Sequence, residues 1–359
     1  MRETRVQAPS RMTRIAYFVH GRGNGHSIRT RAVMARLPER HDVRLFCAGD
    51  SWDELKDIPG TEPVESCIPG RGMSRTFVGR FRRDREALRV WSPAMVVSDG
   101  DGPSVNAATS LGIPVVAVGH GLIFRHTRLP SHLPLHQELR ETVNVASSSW
   151  PARRRVAVHF APVEPRTRGT YVARPELRSE TDSIAARGDF ILAYFRDDNG
   201  LVVLERLAQR GHRVLVFGGK TRSVPRGIEV LPRDANAFAD ALTRCRAVVG
   251  SAGNHLPAEC AMLGIPMLAL HREEDPEHAM NARLVEAAGI GIGSSFSACS
   301  PDTIRRFEAE LDKPRDQIAA RTRAMPPASQ VIWRVVEDLC NESAPGLARM
   351  TRTVQARPH

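Results

Sequence analysis

Short continuous apolar runs, each followed by a helix-length stretch, recur along most of this chain and leave few folds open to it. In the first half the runs are "RIAYFVH", "DVRLFCA", "AMVVSD" and "PVVAVGH". In the second half they are "DFILAYF", "RVLVFGG", "GIEVLP", "CRAVVGS" and "IPMLALH". A strand that is apolar on both faces must be covered on both faces, which is the condition of a parallel sheet wound with helices. Helical segments separate the runs, among them "SIRTRAVMARL", where Ile28, Ala32 and Ala35 share one face. The expected fold class is therefore α/β. At 359 residues the chain exceeds one typical core. Two such arrays in succession predict two Rossmann-like domains facing a cleft.

Periodic apolarity fades in "EPRTRGTYVARPELRSETDSIAARGD", from Glu164 to Asp189, where Pro165, Gly169 and Pro175 interrupt any helix. This predicts a first domain over 1–165, a linker over 166–188 and a second domain over 189–327. A helix within 328–345, with Val331, Val335 and Leu339 on one face, is expected to cross back to the first domain. The polar, arginine-rich end from 346 to 359 reads as a mobile tail.

Composition narrows the setting. No apolar segment reaches the roughly 18 residues of a membrane-spanning helix. The basic start "MRETRVQAPSRMTR" is followed by too short an apolar run for a signal peptide. Six cysteines without a CxxC pair suggest reduced thiols and a cytoplasmic protein. The formal net charge is +11, almost all of it from arginine, since lysine occurs only as Lys56, Lys220 and Lys313. Such a field favours phosphorylated ligands, anionic membranes or nucleic acid. Nucleic acid is set aside, because no recognition module or stacking motif accompanies the charge. "RTFVGRFRRDREALRVW", from Arg75 to Trp91, reads as an amphipathic helix with a solvated basic face. It leaves open peripheral contact with an anionic membrane or with a phosphorylated acceptor. His271, Asp275 and His278 are metal-ligand types, but Pro276 breaks any common helical face, so no metal and no cofactor is expected.

"HGRGNGHSIRTRAVMARL", from His20 to Leu37, places Gly21, Gly23 and Gly25 between the first strand and the first helix. There a glycine turn lets a ligand approach the amides of a helix N-terminus. The stretch is not a dinucleotide fingerprint: Gly21, Gly23 and His26 would fill its three glycine positions, and no acidic ribose ligand follows the second strand. The lysine of a phosphate-binding P-loop is also missing. A plain structural turn and a ligand loop both remain open. His26 adds chemistry, because a neutral imidazole facing the cleft can accept a proton from an attacking hydroxyl, worth roughly 10²–10⁴ in rate. The alternative is a histidine that only caps the helix or shapes the turn.

"CRAVVGSAGNHLPAECAMLGIPMLALHREEDPEHAMNARLVEAAGIGI" resembles the donor-binding region of GT-B glycosyltransferases. That group includes the peptidoglycan N-acetylglucosaminyltransferase, monogalactosyldiacylglycerol synthase and the macrolide glycosyltransferases. "GNGH" and "VVSDGDGPSVNAATSLGIPVVAVGH" resemble a little-characterised microbial subgroup that begins with a strand and a GxGH loop. The resemblance covers most of the chain. It is weakest between Glu54 and Arg89 and beyond Ser300.

The resemblance implies a GT-B fold and a nucleotide-sugar donor held by the second domain. Amides of "SAGN", at Gly253 and Asn254, would hold the diphosphate, and Glu259 would accept hydrogen bonds from the ribose. Glu277 and His278 match positions that contact the donor sugar; His278 departs from the usual glutamine, so the sugar's identity does not transfer. Gly218 and Gly219 match a strand end near the nucleotide, and Pro232 to Phe238 matches the stretch whose backbone reads the base. Gly23 and Gly25 would let the first loop approach the sugar or its phosphate. His26 matches the histidine assigned as general base in inverting members. Asp99 is a candidate to orient it, with Asp101 a competing partner and helix capping the alternative role for Asp99. The activity implied is transfer of a sugar, expected to come from a UDP-sugar, to a hydroxyl of a small-molecule, lipid or glycan acceptor, with inversion. The rivals are a nucleotide-sugar epimerase of the same fold and a non-catalytic nucleotide-sugar-binding protein.

Overall fold

In the computed structural model, which describes residues 12–68, 72–177, 188–195, 200–218 and 225–343, the apolar runs are buried strands. The first half supplies β1 (Thr13–Val19), β2 (His41–Ala48), β3 (Thr61–Val64), β4 (Met95–Asp99), β5 (Val115–Gly119), β6 (Thr127–Arg128), β7 (Arg154–Val158), β8 (Glu164–Pro165) and β9 (Thr170–Ala173). Seven of these form one sheet in the order β3-β2-β1-β4-β5-β7-β9, parallel at every pairing. β6 and β8 make a separate antiparallel ribbon. The second half supplies β10 (Phe190–Tyr194), β11 (Arg213–Phe217), β12 (Ile228–Leu231), β13 (Ala247–Ser251), β14 (Met267–His271) and β15 (Gly291–Ser295). They pair in parallel in the order β12-β11-β10-β13-β14-β15. The chain is thus an α/β protein of two Rossmann-like sheets with the GT-B architecture.

Each sheet reverses its strand order once, between β1 and β4 and between β10 and β13. Open α/β sheets bind ligands beyond the carboxyl ends of strands at such switch points. Both glycine turns singled out in the sequence sit there, after β1 and after β13.

Three elements differ from the sequence expectation. In α1 (Asn24–Ala35) the buried residues are Ser27, Arg29, Thr30 and Val33, whereas Ile28 and Ala32 are half-buried and Ala35 is exposed. Pairing Arg29 with a buried carboxylate turns the polar side of α1 inward. In α3 (Met73–Trp91) the basic face is not wholly solvated, because Arg80 is buried against Asp84 and Asp101, 3.1 Å from each. β9 falls within 166–188, so the first sheet runs on through residues expected to be linker; residues 178–187 and the tail from 346 lie outside the described residues.

The last helix, α13 (Ala328–Ser343), packs on the first sheet, although the chain reaches it from the second. Val331, Ile332, Val335, Val336 and Leu339 are buried there with Ile15, Tyr17, Val116 and Val156. The Trp333 indole donates to Val33 O at 2.8 Å, tying α13 to α1. No disulfide joins the six cysteines. Among the described residues, no helix is long and apolar enough to cross a membrane.

Candidate active site

The first loop is built on glycine geometry and one carboxylate. Gly23 adopts φ 90°, a left-handed conformation that favours glycine. Its amide donates to Asp50 Oδ2 at 3.2 Å, while Asp50 N donates back to Gly21 O at 3.0 Å. A carboxylate therefore occupies the loop where a phosphate cradle would need free amides. In front of Gly25 stands the His255 ring from the second half. A Cβ on Gly25 would lie 2.7 Å from His255 Cε1, so the loop meets the facing domain at van der Waals contact.

His26 lies in the first turn of α1 with its side chain 22% exposed, and its Nδ1 is 2.7 Å from Asp99 Oδ1. Asp99 ends β4 and is fully buried. Burial alone would raise its carboxyl, but Arg29 and then His26 outweigh that and hold it well below the usual carboxylate range. An ionised carboxylate only accepts, so Nδ1–H donates to it, and in the neutral tautomer this selects, the lone pair is on Nε2. The Arg29 guanidinium forks onto the same carboxylate, Nε to Oδ2 at 2.7 Å and Nη2 to Oδ1 at 2.6 Å.

The alternative partner is otherwise engaged. Asp101 caps α4 (Gly102–Ser110) by accepting from Ser104 N at 3.1 Å and pairs with Arg80. His20 follows β1, its backbone amide bonded to Asp99 O and its ring edge-on to His26 at 5.4 Å. Burial, then the neighbouring His26, lower its ring to about 4. Sequence reasoning missed Arg29 and His20. Arg29 sits three residues after His26, one helical turn on, which was the available signal.

Across the cleft, β13 ends in Ser251 and the turn Ala252-Gly253-Asn254 opens α9 (His255–Leu263). A Cβ on Gly253 would meet nothing within 4 Å, so this turn borders open space. The Gly253 amide is taken, donating to Ser251 O at 2.8 Å, which leaves the Asn254 amide and the helix N-terminus as the natural anion site. Glu259 is 4% exposed, one turn into α9, which excludes a solvated surface role. The Asn254 side chain is spent elsewhere, donating from Nδ2 to Val158 O of the first sheet at 3.1 Å.

The remaining candidates are less convergent. Asp275 caps α10 (Pro276–Ala287) by accepting from His278 N at 3.1 Å, and Glu277 and His278 are half-buried in its first turn. Gly218 follows β11 and packs against Arg233, while Gly219 lies outside the described residues. Phe238, in α8 (Ala235–Arg244), is a core residue with its ring against Tyr194 and Phe217, which leaves only the backbone of this stretch for contact with a base. His271 bonds to Arg272 O, and no cluster of three or more potential metal ligands occurs among the described residues.

Comparison with known proteins follows the same outline. Solved structures similar to this one include MurG of Acinetobacter baumannii, at 15% identity and TM-score 0.66, covering 91% of this chain and 99% of that one. The glycosyltransferase VinC, solved in complex with dTDP, aligns at 13% identity and TM-score 0.61 over 92% of this chain and 100% of that one. A UDP-N-acetylglucosamine 2-epimerase of Listeria monocytogenes, so designated provisionally, aligns at 14% identity and TM-score 0.61 over 93% and 98%. No curated protein sequence matches. The family model for glycosyl transferase family 1 matches residues 78–312, more than half of the chain. The chain belongs to glycosyl transferase family 1.

Proposed function

We propose that this glycosyltransferase moves a sugar from a nucleoside-diphosphate donor, a UDP-sugar, to an acceptor hydroxyl with inversion. The observation that carries the reading is the His26–Asp99 pair placed opposite the α9 N-terminus. His26 Nε2 takes the acceptor's hydroxyl proton as that oxygen attacks the anomeric carbon. The bond from that carbon to the diphosphate oxygen breaks, and the electron pair leaves with the nucleotide. The Asn254 amide and the N-terminal dipole of α9 offset the negative charge growing there, which is the larger electrostatic part of such catalysis. Glu259 accepts from the ribose hydroxyls, and Glu277 and His278 face the sugar. The dTDP bound to VinC supports a nucleotide donor.

The epimerase of similar fold makes epimerisation the second reading. An epimerase needs further acids free to move protons on the sugar. The buried acids near the strand ends of the first sheet and the start of α13 are already bound: Asp99 to His26 and Arg29, Asp101 to Arg80 and Ser104, Glu176 to Ser329 N. That favours transfer. Incubation with a panel of UDP- and dTDP-sugars and a cell extract tests it. Free nucleotide with a glycosylated product supports transfer; an epimerised nucleotide sugar without acceptor overturns it; binding with no turnover leaves only a binding protein.

We also propose peripheral contact with an anionic membrane. α3 exposes Arg75, Arg82 and Arg85, and α6 (Leu135–Ser149) exposes Leu135, Leu139 and Val143 at four-residue spacing. An exposed apolar stripe and exposed arginines on the same domain suit the lipid interface. Flotation with phosphatidylglycerol vesicles but not with phosphatidylcholine vesicles is the expected result.

A further inference from the structure

We infer that Arg29 is a positioning residue that holds His26 in its neutral form, by supplying the charge that balances Asp99. The inference rests on the reading of His26 as the base. Asp99 and Arg29 are 0% and 3% exposed in their side chains, so their charges meet little water. A buried site of this kind is stable when its charges sum to zero. Arg29⁺ with Asp99⁻ already sums to zero, and a neutral imidazole completes the set. Without the guanidinium, the same carboxylate reaches neutrality most cheaply by holding an imidazolium. An imidazolium has no lone pair and cannot take the acceptor's proton. Asp99 alone would therefore orient the ring and disable it; with Arg29 it orients the ring and leaves it basic.

The geometry fits this division. Arg29 takes both carboxylate oxygens, and His26 Nδ1 shares Oδ1 with Arg29 Nη2. Arg29 Nη2 also lies 3.2 Å from His26 Nδ1, so the cation stands directly beside the ring it governs. The other charged or titratable groups facing this set are His20 at the end of β1, and Tyr17 and Glu176 on the Arg29 side. Asp101 and Arg22 face His20 in turn. Glu176 accepts from Ser329 N at 2.6 Å and is 5% exposed, so it is bound to the start of α13.

The test is a charge cycle read by ring-nitrogen NMR of His26 against pH in the full-length protein, the signal assigned with His26→Gln. Arg29→Met is expected to keep the ring charged to a pH about one unit or more higher than in the unsubstituted protein, the scale of one close opposite charge. Asp99→Asn, which leaves a lone guanidinium beside the ring, shifts the titration the other way. Arg29→Met with Asp99→Asn restores it, and Arg29→Lys, which keeps the charge, stays near the starting titration. The acidic limb of kcat/KM follows the same order. Coincident titrations of Arg29→Met and the unsubstituted protein overturn the proposal, as does a double variant that titrates like Arg29→Met alone. Should Arg29→Met not fold, Asp99→Asn and the double variant still decide, since a merely structural Arg29 would leave their titrations together. If His26→Gln keeps its turnover, the base reading fails while the NMR titrations still decide the role of Arg29.

Discussion

At the scale of single residues, the two sides of the cleft predict opposite kinetic signatures. If His26 is the proposed base, His26→Ala removes a group that acts only in the transition state, so turnover should fall by about 10²–10⁴ with nucleotide affinity nearly unchanged. If Glu259 is the proposed ribose ligand, Glu259→Ala removes a charge-assisted hydrogen bond to the donor, so affinity should weaken by about 1–3 kcal/mol with a smaller effect on turnover at saturation. Steady-state kinetics beside nucleotide titration calorimetry check the pair, and exchanged signatures would mean that the first loop is the nucleotide site. Asp50 argues against that exchange, because its carboxylate already fills the Gly23 amide. His20 and His126 carry a stability signature as well. Burial first, then the neighbouring His26 ring for His20 and Arg155, Arg125 and Arg166 for His126, lower each ring to about 4, against 6.5 in an unfolded chain. Between those values the unfolded chain binds more protons, so stability rises with pH across that window and is lost as pH falls through it. Thermal unfolding should show a midpoint that drops from about pH 6.5 towards pH 4 and is flat just above it. His20→Asn should flatten the drop; an unchanged slope would remove His20 from the account.

At the scale of elements, α13 tests how much the first sheet owes to the chain's end. Trp333 is 7% exposed, stacks on His41 at 5.5 Å and donates to Val33 O. Trp333→Ala should cost about 3–5 kcal/mol, as large-to-small changes in cores do, and Trp333→Phe should recover most of it. Denaturant unfolding that shows no loss for the alanine variant would mean that α13 merely rests on the surface. This helix was legible in the sequence, because Val331, Val335 and Leu339 mark one face and all are buried. The central strands were legible for the same reason: continuous apolar runs have no other stable place. β3, β7, β9 and β15 were not: "TEPV", "TYVA" and "GIGSS" lie at sheet edges and carry polar or small residues that an edge tolerates, and "RRVAV", one strand in from the edge, opens on two arginines. The inward face of α1 was hidden by a different cause. Its period pointed to Ile28 and Ala32, but the Arg29–Asp99 pair joins residues 70 apart and no local pattern records it. The sequence likewise left Asp99 and Asp101 as rivals, and only the register of β4 beside β1 separates them.

At the scale of the whole molecule, the seam between the two sheets is held by a few buried polar side chains. Val158 O, at the end of β7, accepts from Asn254 Nδ2 at 3.1 Å and lies 2.9 Å from His120 Nδ1. His120 Nε2 is 2.8 Å from Asn281 Oδ1, and Asn281 Nδ2 donates to Ala252 O at 2.9 Å. Asn281 is fully buried, so no water replaces those bonds when its side chain is removed. The turn proposed to hold the diphosphate is thus braced from the domain that holds His26. At the rim, Arg140 reaches Glu274 O at 3.3 Å, an exposed contact worth little by comparison. Asn281→Ala should therefore strand a buried carbonyl and a buried imidazole at about 1–3 kcal/mol each, and loosen the seam without unfolding either sheet. We expect a larger radius of gyration by small-angle scattering, weaker nucleotide binding and lower turnover, with the circular dichroism of the folded protein retained. Arg140→Ala, the rim control, should leave all three unchanged. Unaltered scattering and affinity in Asn281→Ala would show that the two sheets keep their places through apolar packing alone, and that the donor turn needs no brace from across the cleft.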